Sequence, residues 1–125
     1  DDIISAVTLF KMNEKLDAGD ILFQEEFLLD KEINDIFDGI VRLGIVGIYN
    51  ILDGNFESVK QDDSKATYYK RLTPDKSEIT LDEIKNKPAR YLYNKIRMLN
   101  DPYPNAYIKC KDGSKLYLTK SYYND

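Results

Sequence analysis

From Ala6 to Met12, side chains on both sides of the two-residue alternation are largely apolar (Ala6, Phe10 and Met12 against Val7 and Leu9). Such a run reads as a strand covered on two faces. A second strand-like run extends from Ile21 to Leu29. Between them lies the corner Leu16-Asp17-Ala18-Gly19-Asp20-Ile21. The two runs are predicted to form a β-hairpin with a wide, structured end. Apolar residues then recur with helical spacing at Ile33, Ile36, Phe37, Ile40, Val41, Gly44, Ile48, Ile51 and Leu52. This stripe predicts a long helix, with Asp30 as N-cap, Glu32 near the positive end of the helix dipole, and Gly54 in the left-handed position past the end. Gly39, Gly44 and Gly47 each cost such a helix about 1 kcal/mol relative to alanine. Close approach of a neighbouring sheet or helix is the expected reason for all three.

Residues 56–73 are mixed and polar, and read as a long connection anchored by Val59, Tyr68 and Tyr69, with Gln61 to Lys65 exposed. Thr80 and Glu83 have capping-box spacing at the start of a short helical turn. A second helix is predicted from about Pro88 to Leu99, with Ala89, Leu92, Tyr93, Ile96 and Leu99 on one face and Asn100-Asp101-Pro102 as its stop. The last segment reads as a hairpin, Ala106 to Cys110 and Lys115 to Lys120 around Asp112-Gly113. The composition changes near residue 85, which places an expected boundary between residues 1–84 and 85–125.

Composition narrows the functional classes. Net charge is −4, so no basic nucleic-acid surface is implied overall. No apolar run approaches the roughly 18–20 residues that span a bilayer, and Asp1-Asp2 does not open a signal peptide. A single cysteine, Cys110, excludes an internal disulfide and fits a reducing, cytoplasmic setting. The chain opens on Asp rather than Met and is expected to be part of a longer polypeptide. It holds no histidine. The usual zinc sites are therefore excluded, and any acid–base chemistry falls to carboxylates, lysine or tyrosine.

Each candidate residue has a plain structural reading beside a functional one. Asp17 and Asp20 can be ordinary turn residues, or one of them can orient a catalytic group supplied from elsewhere on a rigidly held loop. Arg97 reads as a solvated arginine suiting the end of its helix. Lys109, Lys111, Lys115 and Lys120 read as charges that protect a sheet edge. Many tyrosines can serve an interface, though half-buried strand positions explain most of them.

Three motifs in order then carry a resemblance. They are the stretch from Ser5 to Ile21 with Gln24; Tyr69-Lys70-Arg71-Leu72-Thr73-Pro74-Asp75 with Ile79; and Asn94 to Tyr107, which contains Ile96-Arg97-Met98-Leu99 and Pro102-Tyr103-Pro104. Together they resemble the later part of the folate-dependent formyltransferases, a family acting on methionyl-tRNA, glycinamide ribonucleotide or nucleotide sugars. The resemblance implies an α/β fold: the C-terminal part of a Rossmann-like core, made of the β-hairpin and long helix, followed by a small helix and β-hairpin appendage. It implies 10-formyltetrahydrofolate as cosubstrate and an amine as acceptor. In the family an Asn, a His and an Asp act together, and the Asp of the Leu-Asp-x-Gly loop maps onto Asp17. Leu16, Gly19 and Asp20 would border the folate pocket. The Asn and His have no counterpart here, so the chain alone is expected to be inactive. A nucleotide-linked amino sugar is the expected acceptor, with an aminoacyl-tRNA as the alternative. A further alternative is a non-catalytic module that forms a homodimer through the C-terminal region.

Overall fold

The computed structural model describes residues 3–124. Contacts divide the chain into two compact units, one formed by the described residues up to 31 with 35–69, the other by 70–124 with 32–34. The packing break at residues 69/70 lies upstream of the composition change near residue 85.

In the first unit, β1 (Ile4–Phe10) pairs antiparallel with β2 (Ile21–Leu28). Val7 faces Glu25 and Leu9 faces Phe23, and the register shifts between Leu9 and Phe10. That bulge turns the strand end into the corner. The hairpin is the expected one; along β1 Val7 is buried, Thr8, Leu9 and Phe10 are half-buried, and Ile4 and Ala6 are exposed in this chain.

The long helix, α1 (Ile33–Leu52), begins later than the sequence pattern suggests. Glu32, not Asp30, directly precedes its first turn. Its other end is as expected. Gly54 has φ +74, and two hydrogen bonds, Gly54 N–H to Ile51 O (3.1 Å) and Asn55 N–H to Asn50 O (2.8 Å), close a Schellman motif. The three helix glycines divide. A Cβ at Gly47 would stand 2.5 Å from Phe23 Cδ1 and 2.7 Å from Leu9 Cδ1, so helix and hairpin meet there. Gly39 and Gly44 have nothing within 4 Å, which corrects the expectation of close approach for both. Val41, Ile45, Ile48 and Leu52 also remain exposed, because the apolar stripe of α1 is wider than a two-stranded sheet can cover. Tyr68 and Tyr69 do not anchor the connection; they are 93% and 90% exposed.

The second unit contains α2 (Leu81–Asn86), α3 (Ala89–Met98), β3 (Ala106–Lys109) and β4 (Lys115–Leu118). Thr80 and Glu83 form the predicted capping box. Pro88 precedes α3, and Gly113, at φ +84, turns the β3–β4 hairpin. Ile79, Ile96 and Ala106 form the core, with Leu92, Leu99, Ile108 and Leu118 against it. Ile79 N–H donates to Tyr107 O at 2.7 Å and thereby ties the segment before α2 to β3. Arg97 is not solvated as its helix-end position suggested. It is buried, donates from Nε to Asn94 Oδ1 at 2.9 Å, and lies 5.8 Å from the centre of the Tyr93 ring.

Lys95 Nζ donates to Glu83 Oε1 (2.8 Å) and to Glu78 O (2.6 Å), and the Tyr91 hydroxyl donates to Glu83 Oε1 (3.1 Å). Burial opposes ionisation of Glu83, but these hydrogen bonds, that of the Thr80 N–H and the Lys95 charge outweigh it. They lower its pKa from 4.5 to about 2. The folded value lies below the unfolded one, so the stabilisation is complete above the unfolded value and is lost as pH falls through the folded value. It amounts to at most about 3 kcal/mol. Glu83→Gln should therefore flatten the acid limb of thermal stability between about pH 5 and pH 2. A melting-temperature series against pH that runs parallel for both proteins would show that the pair adds no such dependence.

Candidate active site

The corner between β1 and β2 is built from backbone contacts before any side chain is considered. Lys11 N–H donates to Asp20 O at 2.9 Å and closes the end of the hairpin. Gly19 is buried against that closure. A Cβ there would fall onto the Lys11 carbonyl oxygen and lie 2.7 Å from its carbon. Only glycine fits this close approach.

Asp17 has φ +52 and is the only described non-glycine residue in the left-handed region. That conformation costs a residue with a Cβ about 1–2 kcal/mol, and Asp and Asn tolerate it best. Its side chain is exposed, and its carboxylate has no hydrogen-bond or ion-pair partner among the described residues.

A third segment braces the corner. Ile21 and Val59 exchange two backbone hydrogen bonds, of 2.8 and 2.9 Å, in an isolated antiparallel bridge. Ser58 Oγ donates to Asp20 Oδ2 at 3.3 Å. Gln61 Nε2 donates to Asp17 O at 2.9 Å and to Gly19 O at 2.6 Å. Gln61 is half-buried, which corrects its reading as part of an exposed run. A lone glutamine in a polar stretch carries no periodic signal, so nothing in the sequence pattern marks it.

The four residues singled out in the sequence thus share one corner. Asp17 and Asp20 present carboxylates, Gly19 is structural, and Leu16 is 91% exposed. Asp20 also lines an open hollow of about 500 Å³ with Asn13, Glu14, Lys15, Ala18, Lys60, Gln61 and Asp63. Its two lysines and three carboxylates suit a polar ligand edge rather than an apolar ring. Leu16 is the exposed apolar surface on the same corner. Among the described residues no three His, Cys, Asp or Glu side chains converge to hold a metal ion, and no helix is long and apolar enough to cross a membrane.

No protein-family model matches the chain. It is 36% identical over 112 residues to the methionyl-tRNA formyltransferase of Bacillus velezensis, an alignment covering 82% of this chain and 33% of that protein. The solved methionyl-tRNA formyltransferase from Clostridium thermocellum superposes with a TM-score of 0.68 at 25% identity, over 91% of this chain and 54% of that one. The N-formyltransferase from Helicobacter canadensis, solved with folinic acid and dTDP-3-aminofucose, shares the fold with a TM-score of 0.59 at 20% identity, over 78% and 38% of the two chains. The chain belongs to the formyltransferase family, and its fold is α/β. It spans about a third of the length of the curated relatives it matches.

Proposed function

We propose that this chain supplies the carboxylate-bearing part of an enzyme that moves the formyl group of 10-formyltetrahydrofolate to an amine. The observation that carries this reading is Asp17, held in a left-handed conformation with an unpartnered carboxylate on a corner fixed from three sides. A catalytic aspartate that acts by orienting another group needs such a support. On this reading the neutral amine attacks the formyl carbon, the bond from that carbon to N10 of the folate breaks, and a formamide and tetrahydrofolate result. Asp17 orients a histidine and favours its protonated form, while that histidine and an asparagine stabilise the oxyanion. Both partner groups come from outside this chain, which has no histidine. Leu16, Gly19 and Asp20 border the folate.

The chain then corresponds to the end of a Rossmann-like core, residues 1–84, and a small subdomain, residues 85–125. Alone it is inactive, and the full-length enzyme is cytoplasmic. Two acceptors fit this reading. Methionyl-tRNA is favoured by the sequence relatives, and a nucleotide-linked amino sugar by the Helicobacter canadensis neighbour. The test is consumption of 10-formyltetrahydrofolate by the full-length enzyme carrying this chain, with methionyl-tRNA and with a dTDP-linked amino sugar in separate reactions. Turnover with one acceptor assigns it; turnover with neither rejects formyl transfer to these amines. Light scattering of the chain tests dimerisation through the C-terminal region, and a clean monomer counts against it.

A further inference from the structure

We infer that Gln61 is the positioning residue for Asp17: its carboxamide fixes the left-handed corner and so sets where the Asp17 carboxylate points. The functional part of this inference rests on the formyl-transfer reading.

The Ile21–Val59 bridge is antiparallel, so two residues further along each segment Gly19 and Gln61 face one another. A primary amide nitrogen carries two hydrogens. Gln61 Nε2 gives one to the carbonyl of Asp17 and the other to that of Gly19. Among the described residues no other group donates to either carbonyl. One nitrogen thus spans both ends of the Asp17–Gly19 turn.

The donor is itself immobilised. Val59 is bridged to Ile21 before it. Immediately after it, Asp62 caps a 3-10 turn by accepting from the Ser64 N–H (3.0 Å) and Ser64 Oγ (2.6 Å). A clamp anchored to the corner through the Ile21–Val59 bridge can impose a conformation that Asp17 would otherwise leave. At negative φ the Cα–Cβ bond of Asp17 would leave in another direction, and its carboxylate would lose its aim.

The chemistry of the clamp is specific. Methionine matches glutamine in length and has no donor. Glutamate places negative charge against two carbonyl oxygens. Lysine retains donors at the end of a flexible stem.

In the full-length enzyme, Gln61→Met should lower kcat by about 10-fold or more, because small misplacements of a catalytic group are costly. The loss should fall mainly on kcat, with a smaller rise in KM for 10-formyltetrahydrofolate, because the same corner aims Asp17 and borders the folate. Gln61→Lys should recover part of the lost kcat, and Gln61→Glu none. Hydrogen exchange at the amides of residues 17–20 should accelerate in Gln61→Met. A residue with a merely structural role would lower the melting temperature and the active fraction, leaving kcat per active site unchanged and without rescue by lysine; that result overturns the inference. Unchanged exchange at the corner overturns it as well. Should Asp17→Asn turn over normally, the catalytic role of Asp17 fails instead, while exchange still decides whether Gln61 holds the corner.

Discussion

Replacing Asp17 with asparagine in the full-length enzyme should lower kcat by about 10²- to 10⁴-fold, the range expected when a group that tunes an acid–base residue loses its charge. Asparagine has nearly the same shape as aspartate, but it cannot favour a positively charged imidazole. It is also the clean probe at this position. Asp17 stands at φ +52, and asparagine accepts that conformation as readily as aspartate. Alanine there would mix loss of charge with backbone strain. Within this chain the Asp17 carboxylate has no partner among the described residues, so in the chain by itself its loss should change stability by only about 0.5 kcal/mol or less, which a melt of this chain checks. The measurement is steady-state kcat and KM for both substrates beside a thermal melt. Near-normal turnover with an unchanged melt would assign Asp17 to turn structure alone.

The corner was legible in the sequence because its constraints are local. A glycine between two aspartates, flanked by strand-like runs, says that the chain turns tightly there. The structure adds what local pattern cannot encode. Gly19 abuts the carbonyl of Lys11, and Gln61 reaches the corner from a segment joined to it by the isolated Ile21–Val59 bridge and the Ser58–Asp20 hydrogen bond. Such a bridge leaves no alternation in the sequence, so residues 56–73 read as a long mixed connection and Gln61 as part of its exposed stretch.

Periodicity identified the apolar face of α1 but not what covers it. The same helix contains Gly47, where an added Cβ would meet Phe23 and Leu9, and Gly39 and Gly44, where it would meet nothing within 4 Å. Spacing alone gives all three glycines the same meaning. Arg97 shows the converse limit. Its charge and helix-end position predict solvent, yet Asn94, three residues earlier on the same helix, accepts its Nε–H, and the Tyr93 ring lies beside it. Burial of a guanidinium depends on such partners, and partners are decided by packing. The elements that rest on nearest neighbours, the Thr80–Glu83 capping box and the Gly113 turn, are read correctly from the sequence.

The second large effect should come from Gly19→Ala. The new Cβ would collide with the Lys11 carbonyl, which is backbone and cannot rotate away. Moving Lys11 would break its N–H bond to Asp20 O, and moving Gly19 would break its bond from Gln61. The substitution should therefore cost about 3 kcal/mol, the upper end of overpacking penalties. For a chain of this size that is a fall in melting temperature of about 10 °C. Gly39→Ala in this chain provides a control of opposite sign. With open space around it in a helix interior, the added methyl should stabilise by about 1 kcal/mol. Thermal unfolding of the two variants followed by far-ultraviolet circular dichroism separates these effects. If Gly19→Ala melted within a degree or two of the parent protein, Gly19 could not be packed against Lys11, and the corner would lack the rigidity that the role of Asp17 requires.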